Sequence, residues 1–253
     1  MNLYGAIQKR KSIRSYIQEP LSEAEIEGLV DFISAQNPPE EEIDWNFDTL
    51  PTLDMVKICA REPWLKAPHY LVLRAERKFF SLQLCGYLGE LACLYLTEQG
   101  IGSCWLGNIA VDPAQDFSGS LPFVGAIAFG RTEESFGDGF FDRLPAAKTC
   151  FGRYTEYRDI MDAARFAPSA LNRQPCVFVA DEREQIHVYR RKVFMNNPVV
   201  SYNNSLDAGC AMAHLEVAAH ACGRPRAKLL RLKREPAFKH MIYQGTLRLE
   251  PQE

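Results

Sequence analysis

Arg10-Lys11-Ser12-Ile13-Arg14 places three cations and one hydroxyl within five positions. A phosphate monoester is a dianion at neutral pH. Guanidinium forks, a hydroxyl and backbone N–H groups are suitable partners for it. Read alone, the stretch is also an ordinary basic linker on a solvated surface. A second stretch, Ala167-Pro168-Ser169-Ala170-Leu171-Asn172-Arg173-Gln174-Pro175, sets small polar groups in a turn. Gln174 offers an acceptor and a donor amide there, enough to read the edge of a planar heterocycle. An ordinary capped turn would use the same residues. A third, Gly100-Ile101-Gly102-Ser103-Cys104-Trp105-Leu106-Gly107, has glycines that let backbone approach closely, and Gly107 could present its N–H to a ring nitrogen. Its plainer reading is a glycine turn with Trp105 as a core aromatic.

These stretches need elements to hold them. Residues 3–10 carry helical spacing, and Pro20-Leu21-Ser22-Glu23-Ala24-Glu25 is a helix start with Ser22 and Glu25 placed for a capping box. The segment from Lys11 to Gln18 is therefore an extended linker between two helices. Pro38, Pro39 and Glu40–Glu42 end the second helix in an acidic loop. His69–Leu73 and Phe123–Phe129 read as buried strands, and Gly86–Leu96 as a buried helix, apolar nearly all round, that stops at Gly100. Pro168 ends a helix that includes Ile160, Ala163 and Phe166, a strand follows Gln174-Pro175, and Met241–Leu249 alternates like a last strand.

The second half repeats the first. Gly86 to Gly100 and Gly209 to Gly223 are each fourteen positions apart, and the order helix, strand, buried helix recurs. This favours an old duplication joined near residues 150–155 over a loose alignment of two α+β segments. Arg224, Arg226, Lys228, Arg231, Lys233, Arg234 and Lys239 make the end basic, either as a solvated face or as a patch for a phosphorylated dinucleotide.

Composition narrows the class. The chain has 253 residues, 47% of them hydrophobic, and a formal net charge of -3. It can bury a sizeable core and does not have the charge of a general nucleic-acid binder. None of the eight cysteines forms a C-x-x-C pair, which suits reduced thiols in a cytoplasmic protein. No secretory cleavage pattern follows the start, and no run of apolar residues is long enough for a membrane span. The five histidines show no metal-ligand spacing.

Taken together and in this order, the three stretches resemble the nitroreductase family of FMN enzymes. Its pattern is R-x-S-x-R/K, A-P-S-x-x-N-x-Q-P, a buried central helix and G-x-G-x-x-W/P-x-G. Asp142-Arg143-Leu144-Pro145 looks like the family's phosphate-binding R-L-P. The resemblance covers most of the chain. It implies an α+β, nitroreductase-like fold with central buried helices and mixed or antiparallel sheets. Residues 1–150 and 151–253 would be two similar halves of an intramolecular pseudo-dimer. One FMN is implied, with Arg10, Ser12 and Arg143 at the phosphate and Lys11 or Arg14 near the phosphate or the ring's pyrimidine edge. Leu106–Gly107 would bring an N–H towards N5, and Pro168, Ser169, Asn172 and Gln174 would line the opposite edge. The implied activity is hydride transfer from NADH or NADPH and then reduction of a nitroaromatic, quinone or similar small acceptor. A flavin-binding protein without turnover, for storage or sensing, and a ligand-free structural module are the alternatives. The expected protein is a cytoplasmic monomer, with neither nucleic acid nor membrane as partner and further pairing of chains left open.

The departures are specific. Asn37-Pro38-Pro39 stands where the first half would carry P-S-x-x-N, and the second half lacks R-x-S-x-R at its start. Phe141 replaces the lysine usual before R-L-P, which shifts phosphate binding towards Arg10, Lys11 and Arg143. The family's asparagine before the first-half strand has no match around Cys59–Pro63.

Overall fold

The computed structural model describes residues 1–37, 42–52, 55–57, 65–78, 80–107, 109–111, 120–137, 142–193 and 197–249. Pro38, Pro39, Cys59–Pro63 and Phe141 lie outside the described residues. The chain divides into two compact units. Met1–Gln36, Glu41–Ser81 and Leu91–Gly139 make the first; Asn37–Glu40, Leu82–Glu90 and Phe140–Glu253 make the second. Both contain helix and sheet, the α+β class expected.

In the first unit, α1 (Leu3–Lys9) is capped by Asn2, whose Oδ1 accepts from Gly5 N at 2.9 Å. The extended segment after it lies beside a strand, with Ile13 N donating to Ser103 O at 2.9 Å. Then α2 (Glu23–Ser34) opens on the expected capping box: Ser22 Oγ accepts from Glu25 N, and the Glu25 carboxylate accepts from Ser22 N at 2.8 Å. Such a cap stabilises a helix start by about 1 kcal/mol. The strands are β1 (Trp45–Leu50), β2 (Met55–Lys57), β3 (His69–Ala75), β4 (Gly102–Leu106), β5 (Ile109–Val111) and β6 (Phe123–Gly130). Four form an antiparallel sheet in the order β1-β3-β6-β4, and β2 pairs with β5.

The glycine-rich stretch is thus a strand where a turn was one reading, with Trp105 opposite Ile127. Gly102 is needed there because a Cβ would lie 2.9 Å from Ile13 Cγ2. Ile13 is fully buried and joins Tyr70, Val72, Cys104 and Ala126 in the unit's core. The linker is therefore pinned by buried Ile13 and Tyr16, which leaves its polar neighbours on an ordered backbone.

The helix α3 (Ser81–Glu98) ends at Gly100, φ 74°, with Ile101 N donating to Leu96 O at 2.8 Å. This bond to the carbonyl five residues back is a Schellman ending, and glycine carries the positive φ at least cost. In the second unit come α4 (Ala146–Thr149), β7 (Cys150–Gly152), α5 (Arg158–Arg165), β8 (Cys176–Ala180), β9 (Gln185–Arg191), α6 (Pro198–Ala221), β10 (Lys228–Leu230) and β11 (Met241–Arg248). The sheet order is β10-β11-β9-β8-β7, antiparallel except for the parallel pair β7–β8. The helix α6 begins eleven residues before Gly209, at Asn197 as cap and Pro198 in the first turn. It ends as α3 does, with Gly223 at φ 78° and Arg224 N donating to Ala219 O at 2.9 Å.

Sequence alone gave α3 as apolar nearly all round, yet its first half carries buried polar residues that find partners within the second unit. Gln83 donates to Gln244 at 2.9 Å, Tyr87 to Glu216 at 2.5 Å, and Glu90 meets His214 at 3.0 Å. Positions 83, 87 and 90 recur at helical spacing and share one face. Glu90 and His214 are both fully buried. The other ring nitrogen, Nδ1, lies 3.0 Å from Ala163 O, which can only accept, so Nδ1 carries a hydrogen. One more proton must then lie between Nε2 and Glu90 Oε1. The pair is electrically neutral as a whole and ties α3, α5 and α6.

Candidate functional site

The sequence-predicted residues fall into two groups, one in each unit. In the first unit, Arg10 is the C-cap of α1 and is 6% exposed. Lys11 and Ser12 are half-buried, and Arg14 is exposed, with its Nη1 donating to Ser12 O at 3.3 Å. An anion already stands on this segment. Glu134 Oε1 accepts from Arg14 N at 3.3 Å and Ser15 N at 3.1 Å, and its Oε2 lies 3.4 Å from Lys11 Nζ. Burial pulls the Glu134 carboxyl upward, but the Ser15 and Arg14 N–H groups and the Lys11 ammonium outweigh it and hold it below the usual range. Leu106 is buried at the end of β4, and Gly107 is exposed with open space where a Cβ would stand. Packing therefore does not require glycine at 107; close approach of another group would.

The second group is a network around the turn after α5. Arg143 Nη1 donates to Asn172 Oδ1 at 2.6 Å, and Nη2 to Phe166 O at 2.8 Å. Asn172 Nδ2 and Gln174 Nε2 each donate to Asp142 O at 3.0 Å, and Gln174 Oε1 accepts from Leu144 N at 2.7 Å. Ser169 Oγ accepts from Gln174 N at 2.9 Å and keeps its own hydrogen for donation. Residues 142–144 and 169–174 are thus knitted together. Within the turn Leu171, Asn172 and Gln174 have φ of 55°, 54° and 49°. Each such non-glycine residue costs on the order of 1 kcal/mol or more, so the hydrogen bonds over-determine a strained backbone.

Sequence reasoning missed Asp207, on α6. It is 7% exposed, and its Oδ1 accepts from Ala170 N at 3.0 Å in the same turn. Burial pushes its carboxyl up to about 7, against the opposing pull of the Ala170 N–H and the Arg173 guanidinium. No local motif marks it; an aspartate inside a helix of small apolar residues was the available signal. Besides His214, three histidines have structural partners: His69 accepts from Leu21 N, His187 lies between Thr246 and Asp181, and His220 donates to Ala227 O. Among the described residues no cluster of potential metal ligands occurs, and no helix is long and apolar enough to cross a membrane.

Tested against FMN, the first group fits a phosphate. The Arg14 and Ser15 N–H groups and the Lys11 ammonium already hold a carboxylate as a stand-in anion, and Arg10 and Ser12 adjoin them in sequence. In the second group the amides of Asn172 and Gln174 hold the turn itself, which leaves the Ser169 hydroxyl and the backbone to meet a ring edge.

A family model described as "Putative TM nitroreductase" matches residues 2–219. Among solved structures, a "putative nitroreductase" from Thermotoga maritima shares 22% identity at a TM-score of 0.68, covering 99% of this chain and 95% of that one. A nitroreductase family protein from Clostridium difficile shares 14% identity at a TM-score of 0.47, covering 58% of this chain and 96% of its own. A nitroreductase with bound FMN from Bacteroides fragilis shares 15% at 0.39, covering 57% and 100%. No curated protein matches the chain. With the family model spanning residues 2–219 and the fold shared along nearly the whole length, the chain belongs to the nitroreductase family.

Proposed function

We propose that the chain is an FMN-dependent oxidoreductase of nitroreductase type, using NADH or NADPH. The strained turn at 169–174, held against Arg143 and Leu144, carries this reading. Backbone strain over-determined by side-chain bonds marks functional turns, and it falls on the family's most specific motif. Bound FMN would supply the redox chemistry, accepting a hydride and passing electrons to a small acceptor such as a nitroaromatic or quinone. Arg10, Lys11 and Ser12 would hold the phosphate; Arg143, assigned to it by resemblance, has Nη1 and Nη2 committed to Asn172 Oδ1 and Phe166 O and would act by holding the 169–174 turn. Arg14 or Lys11 would stabilise negative charge at the pyrimidine edge. Pro168 and Ser169 would line the opposite edge, with Asn172 and Gln174 fixing their turn, and the Gly107 N–H beside Leu106 would serve N5. No side chain is assigned as an obligatory acid or base.

The two halves, 1–150 and 151–253, are proposed to descend from one duplicated nitroreductase-like unit, with one FMN per chain. The protein is then a monomeric pseudo-dimer. Titrating FMN into apoprotein while counting sites tests this. One site, weakened at least tenfold by both Arg10→Ala and Asn172→Ala, is expected. Two sites, or unchanged affinity in both variants, refute it. Anaerobic bleaching by NADH or NADPH with recovery on adding a quinone tests turnover; a bound flavin that never bleaches would leave a storage or sensing protein.

A further inference from the structure

Asn172 and Gln174 grip one end of the 169–174 turn, and a residue of α6 holds the other. Ala170 N, the amide that follows Ser169, donates to Asp207 Oδ1 at 3.0 Å. The carbonyl of the same peptide group, Ser169 O, accepts from Asn172 N at 2.9 Å. A peptide group is planar, so bonds at its N–H and its C=O together fix the whole Ser169–Ala170 plane. Gln174 N then donates to Ser169 Oγ at 2.9 Å, which sets the side chain on that plane. The Ser169 hydroxyl, the group left to meet a ring edge, therefore takes its direction from a peptide that Asp207 anchors.

Asp207 is an expensive choice of anchor. It is 7% exposed, with Oδ2 buried and unpaired, and burial raises its carboxyl against the pull of Ala170 N–H and Arg173. Helix packing does not call for it, since Ala208 and Ala211 beside it on α6 are small and fully apolar. Residues that cost stability without a packing return concentrate where function needs them. The four residues concerned, Ser169, Ala170, Asn172 and Asp207, lie in the second unit. We propose that Asp207 is the positioning residue of this turn: through Ala170 N it holds the peptide that directs Ser169, and it acts on FMN only through Ser169. The proposal rests on the flavin reading above and extends it to a residue outside every motif.

The test is a double-mutant cycle on FMN affinity, measured by flavin fluorescence on the full chain at neutral pH. Ser169→Ala and Asp207→Leu should each weaken FMN about tenfold. The double variant should match either single one, whereas independent losses would multiply to about a hundredfold. Asp207→Asn keeps an acceptor for Ala170 N and should stay within about threefold of the wild type. Ala170→Pro deletes the donor at the other end of the same bond, and Ser169 before it is already extended, as a following proline requires. It should weaken FMN as Asp207→Leu does, and it replaces that variant in the cycle if Asp207→Leu fails to fold. Losses that multiply, unchanged affinity in either single variant, or no rescue by asparagine would overturn the positioning role while leaving FMN bound. A wild-type chain that binds no FMN would refute the flavin reading, and this role with it.

Discussion

Replacing Asp207 by asparagine should make the protein more stable at alkaline pH and leave it nearly unchanged in acid. The carboxyl sits on α6 at 7% exposure, with one oxygen bonded to Ala170 N and the other unpaired. Its titration midpoint is raised from 3.8 to about 7, chiefly by burial. Between those two values the folded chain binds a proton that the unfolded chain has released, so stability falls as pH rises through that window. Moving a carboxyl that far costs the ionised form about 4 kcal/mol by linkage. Asparagine keeps the acceptor for Ala170 N and never ionises. Its advantage should be close to zero at pH 4, about 2 kcal/mol near pH 5.5 and about 4 kcal/mol at pH 8. Urea denaturation of both proteins, followed by far-UV circular dichroism across that range, reads the difference directly. A difference that stays flat with pH, or an asparagine variant that is the weaker protein at pH 8, would show that Asp207 is solvated or paired in solution.

Two further predictions concern the helices. Gly86→Ala and Gly209→Ala would place a Cβ 2.2 Å from Leu206 O and 2.1 Å from Gln83 O, so each should cost roughly 3 kcal/mol or more, seen as a lowered denaturation midpoint or loss of soluble protein. Glu90→Gln can still donate to His214 Nε2 and should cost about 1 kcal/mol or less. His214→Leu strips a buried carboxyl of that partner and should cost about 3–5 kcal/mol, and reversed ranking of the two variants would refute the shared-proton description.

Local devices were readable in the sequence because their partners are near. Ser22 and Glu25 form a capping box across three residues, and Gly100 and Gly223 end their helices within a turn. The apolar runs of β3 and β6 declare themselves as buried strands. The strand β4 was obscured because Gly102 looks like turn chemistry, when its missing side chain serves the approach of Ile13, some ninety residues earlier. The partners of Gln83 and Glu90 are 161 and 124 positions away, so no window could show that these polar residues on an apolar helix are satisfied. The site behaves the same way. The spacing of Ser169, Asn172 and Gln174 was legible as a motif. That Asn172 and Gln174 grip Asp142–Leu144, and that Glu134 already sits on the basic segment, depends on contacts across the fold.

The equal glycine spacing acquires a physical meaning from the helices. A two-fold arrangement is self-complementary, so a residue near the axis touches its own equivalent. Gly86 and Gly209 were aligned as equivalents from sequence, and a Cβ on Gly86 would stand 3.1 Å from Gly209 Cα. Fourteen residues on, Gly100 and Gly223 each take a positive φ, and in each case the next residue bonds the carbonyl five positions back. Glycine endings of this kind are common, so the contact between the matched glycines is the stronger support for the proposed duplication. That duplication would also account for R-x-S-x-R standing only before residue 150 and P-S-x-x-N only after it.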